Sequence, residues 1–220
     1  MKREIIKTAD GSHTISIPEW NEQYHSVNGA VAEAYHVFIN AGLKEIDSEK
    51  ISILEIGFGT GLNSIITMIE AQKLNKDIYY QGVEAYPVKD EEIKVLNYID
   101  VLNAEEFRKS FEVMHSSKWD EEVVLNDSFT LLKQNKTFDK IEDVNKFDLI
   151  YFDAFGPDVQ PDLWSEEIFA KMYKSLKSEG ILVTYSAKGS VKRAMKSAGF
   201  RIERLPGPKG KREMTRAVKG

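Results

Sequence analysis

Three glycines at alternate positions, Gly57, Gly59 and Gly61, follow directly on the β-branched apolar run Ile51 to Ile56, and no other stretch restricts the fold of this chain as tightly. A strand ending this way must turn sharply. Glycine adopts positive φ there without steric cost and leaves bare main chain for a ligand to press against. Beyond the turn, Leu62, Asn63, Ile65, Ile66, Met68 and Ile69 open a helix, whose unpaired N–H groups face whatever the loop holds. Glu55, Gly57, Phe58, Gly59, Thr60 and Gly61 are therefore the expected cofactor-binding residues of a nucleotide-type loop. Dinucleotide sites space their glycines G-x-G-x-x-G, whereas here the third glycine comes one residue early and Leu62 follows it. That spacing argues for a mononucleoside ligand.

Composition narrows the chemistry. A chain of 220 residues with 42% hydrophobic content is expected to form one domain with a full core. There is no cysteine, which excludes disulfides, zinc thiolate sites and thiol nucleophiles, and four scattered histidines argue against a metal site. No apolar run reaches the roughly 18 residues that span a bilayer, and the charged start MKREIIK does not read as a signal peptide, so a soluble cytoplasmic protein is expected. The net charge of −5 hides an asymmetry: from Ser186 to Gly220 there are eleven Lys or Arg against two acids, Glu203 and Glu213. That basic end reads either as a solvated face or as a surface for an anionic polymer.

Residues 1–45 predict a hairpin around Asp10-Gly11 followed by a covering helix with Val31, Ala34, Tyr35, Phe38 and Ile39 on one face. Residues 46–220 alternate strand and helix, the pattern of a parallel sheet covered on both faces. Strands are expected at Ile51 to Ile56, Ile78 to Val83, Phe147 to Phe152, Ile181 to Ser186, Phe200 to Leu205 and Glu213 to Val218. Ser128 to Gln134 and Val123 to Leu125 compete to be the third strand, and residues 88–116 read as mostly helical with a break near Asn103.

Glu84 lies 23 residues beyond Gly61 at the end of the next strand, where an acid accepts ribose hydroxyls in nucleoside-binding sheets. Asn135, after the third strand, is the preferred adenine contact, with Asp127 as the alternative. Asp153, in Asp153-Ala154-Phe155-Gly156-Pro157, follows the strand FDLIYF and falls at the switch point beside the glycine loop. Phe155 there is placed to stack on a flat substrate, and Trp164 to wall the pocket or join the core.

The order Glu55-x-Gly57-x-Gly59-x-Gly61 resembles the first motif of class I S-adenosylmethionine methyltransferases. The resemblance implies S-adenosyl-L-methionine as cofactor and a Rossmann-like, seven-stranded, mostly parallel α/β sheet whose last strand returns antiparallel to the sixth. Methyl transfer to nitrogen asks a protein chiefly for alignment and exclusion of water. A carboxylate such as Asp153 can accept the hydrogen bonds of an amine that must lose its proton.

Most of the chain is similar to a narrower family, the methyltransferase half of the bifunctional bacterial enzyme that completes 5-methylaminomethyl-2-thiouridine at the tRNA wobble position. The likeness is carried by Tyr24-His25-Ser26, Gly29-Ala30, Glu33, His36-Val37-Phe38, the loop Gly57 to Asn63, the Asp-Ala-Phe-x-Pro segment, Pro161-Asp162-Leu163-Trp164 and Lys211-Arg212-Glu213-Met214. It implies transfer of a methyl group to the exocyclic aminomethyl nitrogen of that uridine, with Asp153 as the active-site carboxylate. Tyr24 and Phe155 become candidate substrate contacts. Lys188, Lys209, Lys211 and Arg212 are the expected grip on the anticodon loop of tRNA. The chain stops at Gly220, so a separate oxidase or other tRNA-modification enzyme is the expected partner, and the glycine-aspartate of the family's third strand end is missing. A small-molecule or protein amine N-methyltransferase and a non-catalytic RNA-binding module are the competing readings.

Overall fold

The computed structural model describes residues 2–220. Strands β1 (Glu4–Lys7), β2 (His13–Ile17) and β3 (Glu22–Gln23) form a small antiparallel sheet in that order. The Asp10-Gly11 turn joins the first two, Gly11 taking a φ of 88°. The third strand is short, pairs only Ser16 with Gln23 and Ile17 with Glu22, and goes beyond the expected hairpin. Helix α1 (Ala30–Ala34) continues as wider π-helical turns over Tyr35–Asn40 and buries Ala34, Val37, Phe38 and Ile39.

Strand β4 (Lys50–Ile56) then enters the main sheet and leads through the glycine loop into α2 (Leu62–Lys73). Every residue of α2 from Leu62 to Ala71 is buried, because the sheet covers one side and the first helix packs on it from outside. A helix apolar on one face only would not tolerate that. Here Asn63, Ser64 and Thr67 occupy the remaining face as short polar residues, and the Thr67 hydroxyl donates to the Asn63 carbonyl at 2.6 Å.

Strand β5 (Asp77–Val83) pairs parallel with β4 along its whole length. Three short helices follow, α3 (Asp90–Ile93), α4 (Tyr98–Val101) and α5 (Arg108–Ser116), and the break between the last two falls at Asn103, whose φ is 50°. Both candidates for the next strand are strands: β6 (Glu122–Asn126) and β7 (Phe129–Gln134) pair antiparallel. They differ in place: β6 is an edge strand with Val124 69% exposed, whereas β7 buries Phe129, Leu131 and Lys133 in alternation.

Strand β8 (Phe147–Phe152), α6 (Glu166–Ser175), β9 (Leu176–Thr184), α7 (Gly189–Ser197), β10 (Arg201–Pro206) and β11 (Glu213–Val218) complete the chain. Ser165 caps α6 by accepting from the Ile168 N–H, and Glu166 and Glu167 favour the positive end of its dipole. The sheet order is β10-β11-β9-β8-β4-β5-β7-β6. The five strands from β9 to β7 run parallel, and β11 returns antiparallel between β9 and β10. This is the class I methyltransferase sheet anticipated above, with β6 added as an eighth strand. Helix α2 lies on one face over Ile53, Tyr80 and Tyr151, and α6 and α7 lie on the other over Ile150, Phe152 and Leu182. The switch in strand order falls between β4 and β8, which opens a crevice at their carboxyl ends.

Candidate active site

Two strand ends meet in that crevice. The Asp153 N–H donates to the Ile56 carbonyl at 2.9 Å, and a Cβ on Gly57 would lie 2.7 Å from the Asp153 carbonyl oxygen. Gly57, with φ of 87°, is therefore required both by conformation and by the neighbouring strand. Gly59 and Gly61 also take positive φ, 49° and 73°. The Phe58 ring turns inward across Gly82, whose missing side chain makes its place, and meets Trp119 edge-on at 6.2 Å. Phe58 thus anchors the loop. Thr60 is also tied down, its hydroxyl accepting from Tyr98 at 2.9 Å and lying 3.4 Å from His25 Nε2. Burial lowers the pKa of His25 to about 4, so this imidazole is neutral at physiological pH.

Beneath the loop, one amide serves two carboxyl groups. Asn63 Nδ2 donates to Glu55 Oε1 at 2.9 Å and to Asp153 Oδ2 at 2.8 Å. Glu55 is almost fully buried, and burial, opposed by the Asn63 hydrogen bond, holds its pKa well above the usual carboxylate range. For Asp153, burial raises the pKa to about 7, while the Asn63 bond and Lys211 pull it down and Glu33 pushes it up. Asn63 did not stand out in the sequence beyond its place in the loop motif. At the next strand end, Glu84 accepts from the Gly59 N–H at 3.1 Å and from the Tyr86 N–H at 2.9 Å, so both its oxygens are oriented and each retains a lone pair.

The cavity has a volume of about 330 Å³ and is roofed by the amino-terminal segment, which contributes Arg3, Trp20, Glu22 and Tyr24. Arg3 fastens this roof to the far rim by donating to the Tyr86 carbonyl at 3.2 Å and to Glu92 at 3.0 Å. Asp153 sits between two halves. The first holds the glycine loop, Glu84, Thr137 and Phe138; the second holds Phe155, Tyr185 and Lys211. Tyr24 packs edge-on to Phe155 at 5.0 Å, and Trp20 does so at 5.6 Å. Trp164 is buried and does not line the cavity; its indole N–H donates to the Phe155 carbonyl at 2.8 Å and braces that loop.

Several expected contacts lie elsewhere. Asn135 does not line the cavity, because its amide is spent on the Glu84 carbonyl at 2.8 Å, and Thr137 and Phe138 take its place on the wall. Asp127 sits in the β6–β7 turn, before the amino end of β7 and so at the opposite end of the strands from the crevice. Lys188 pairs with Asp158 outside the cavity, and Lys209 and Arg212 are exposed on the β10–β11 hairpin. Lys211 is corrected in the other direction. Its ammonium points inward, pairs with Glu33 at 2.6 Å and lies 4.0 Å from the Tyr185 ring centroid, so it is not part of an outer phosphate-binding surface. Among the described residues no group of His, Asp and Glu is arranged for a metal ion, and no helix is long and apolar enough to cross a membrane.

A crevice at the switch point of a β11-returning parallel sheet, with a glycine loop on one strand and acids at the ends of its neighbours, defines a nucleoside-cofactor transferase site. Residues 98–220 match the family model described as S-adenosyl-L-methionine-dependent methyltransferase, and the chain belongs to that family. It is 29% identical over 209 residues to the tRNA 5-methylaminomethyl-2-thiouridine biosynthesis bifunctional protein MnmC of Campylobacter fetus, covering 90% of this chain and 33% of that protein. The protein of the same name from Burkholderia multivorans is 30% identical over 220 residues, covering 91% of this chain and 33% of that one. The chain thus spans about a third of the length of the curated relatives it matches. Among solved structures, MNMC2 from Aquifex aeolicus superposes with a TM-score of 0.79 at 23% identity, over 98% of this chain and 69% of that one.

The cofactor is S-adenosyl-L-methionine, and the residues suit it. Among the described residues Glu55 Oε2 and Asn63 Oδ1 are buried and have no hydrogen-bond partner, and both side chains belong to the cavity lining. Acceptors of this kind, with the free lone pairs of Glu84, fit a ligand that carries an ammonium, a sulfonium and ribose hydroxyls.

Proposed function

We propose that this chain methylates the exocyclic aminomethyl nitrogen of the tRNA wobble uridine, taking 5-aminomethyl-2-thiouridine to its methylamino form. The observation that carries the proposal is the place of Asp153, a carboxyl group between the glycine loop and a half-cavity walled by Phe155, Tyr24 and Tyr185. Such walls suit a flat base turned out of a single-stranded loop. The names of the curated relatives point to the same uridine.

When bound, S-adenosylmethionine supplies an activated methyl group. The chain's residues do the rest. Glu84 receives the ribose hydroxyls, and Glu55, Gly57, Phe58, Gly59, Thr60 and Gly61 form the bed, with Thr137 and Phe138 replacing Asn135 beside the adenine. Asp153 accepts the hydrogen bonds of the amine and takes its proton, which a carboxyl with a pKa of about 7 does better than an ordinary one. The roofing residues exclude water and belong to the same catalytic unit as residues 46–220. Lys188, Lys209 and Arg212 serve the tRNA backbone from outside. The aminomethyl group must be made beforehand, and an oxidase is its proposed source, in the cytoplasm where tRNA is modified.

Purified protein, S-adenosylmethionine and tRNA bearing 5-aminomethyl-2-thiouridine should yield a nucleoside heavier by one methylene, read by mass analysis. Asp153→Ala should keep its fold and lose about 10² to 10⁴ in rate. A folded variant with the parental rate would reduce Asp153 to a loop cap.

A further inference from the structure

The acceptor half of the cavity contains a cation held in place by the protein itself. Lys211 Nζ bonds Glu33 Oε1 at 2.6 Å, and Glu33 is in turn fixed through Oε2, which accepts from the Ser26 N–H at 3.1 Å. The ammonium lies 4.0 Å from the centroid of the Tyr185 ring, and the Tyr185 hydroxyl donates to the Ala154 carbonyl at 2.8 Å. Glu33 and Tyr185, themselves fixed by Ser26 and Ala154, thus hold one amine beside Asp153. A lysine ammonium has three protons, and Glu33 takes one of them. Among the described residues no further oxygen or nitrogen accepts from it, although the group lines the cavity.

Charge decides what such a group can bind. Glu33 neutralises Lys211, and Asp153 adds a further acid, so this half of the cavity does not favour an anion such as phosphate. It suits a neutral acceptor that accompanies an amine. Sheet order separates the group from the cofactor: Lys211 enters from the β11 side of β8, and Glu84 lies across β4 at the end of β5. A uracil with an aminomethyl substituent at C5 carries a carbonyl oxygen on the adjacent ring carbon C4, within one side chain's reach of the amine.

We infer that Lys211, steered by Glu33, is a specificity-determining residue that donates a hydrogen bond to the ring carbonyl beside the aminomethyl-bearing carbon, while Asp153 holds the amine. This rests on the proposed reaction at a uridine. A base with an amino group at that ring position presents a donor to Lys211 and leaves its ammonium unmatched, which is the kind of mismatch that discriminates strongly.

The test compares anticodon stem-loop oligonucleotides carrying 5-aminomethyluridine or 5-aminomethylcytidine at the wobble position. The parental protein should prefer the uridine by at least about tenfold in kcat/KM. Lys211→Met should lose roughly 10- to 100-fold on the uridine, mostly through KM, and so level the two substrates. Lys211→Gln, which keeps a neutral donor, should retain part of the preference. Affinity for S-adenosylmethionine, measured by calorimetry, should stay unchanged in both variants and also reports that they are folded. A preference that survives in Lys211→Met overturns the inference, as does a loss confined to cofactor affinity. A parental protein inert on both oligonucleotides, yet binding cofactor, would instead remove the proposed reaction, and the inference with it.

Discussion

Asn63 and Asp153 are joined by a 2.8 Å hydrogen bond in which the same amide nitrogen also serves Glu55 at 2.9 Å. This shared donor keeps the buried Glu55 and the half-buried Asp153 carboxyl groups from being left to face each other. Its loss should show in the pH profile. A hydrogen bond to a charged group is worth about 1.5–3 kcal/mol, or roughly one to two pH units. Asn63→Ala should therefore move the acid limb of the rate profile upward from about pH 7 by that amount. Rates measured from pH 6 to 10 decide it, and an unmoved limb would show that Asn63 only packs.

Asp153 should also cost stability, with a definite sign. Burial raises its pKa in the fold from 3.8 to about 7, so between those values the folded form keeps a proton that the unfolded chain has released. The stability this gives is complete below about pH 4 and is lost as pH rises through 7. Asp153→Asn should accordingly be more stable than the parent at pH 8, by on the order of 2–4 kcal/mol, with the advantage vanishing near pH 4. Urea titrations at the two pH values test this, and an equal difference at both would contradict it.

Glu84→Ala should weaken binding of S-adenosylhomocysteine by roughly 1.5–3 kcal/mol for each ribose bond lost. The side chain also holds the Gly59 and Tyr86 N–H groups, so the variant should show a looser loop as well. Calorimetry beside hydrogen exchange at Gly59 separates the two effects. Unchanged affinity would place the ribose elsewhere.

Lys209 and Arg212 are exposed cations in the turn of the hairpin, and Lys211 belongs inside. The double alanine variant should flatten the salt dependence of tRNA binding by about one to two units of slope, because fewer counterions are released. Its affinity for S-adenosylmethionine should not change. A parental salt slope would make these residues a solvated face.

The parts of the site legible in the sequence were those tied to backbone punctuation. The glycine loop, Glu84 and Asp153 each stand where an apolar run ends, and run length alone locates such ends. Asn63 was harder because it looks like any polar residue in the first turn of a helix. Its significance comes from full burial between two carboxyls that lie 8 and 90 residues away. Counting charge grouped Lys211 with its neighbours, since a count carries no direction and Glu33 lies 178 residues off. Spacing alone pointed to Asn135, and nothing local told that its amide would be used on the adjacent strand's carbonyl and stay out of the cavity.

Arg3 closes one rim of the cavity and Lys211 walls the other, so the first and the last strands both have to be in place before the pocket is whole. During synthesis the glycine loop and Glu84 leave the ribosome early, while the acceptor half waits for the final hairpin. Because a domain folds as a unit, the cofactor bed and the seat for a base are completed together, once that hairpin has been made.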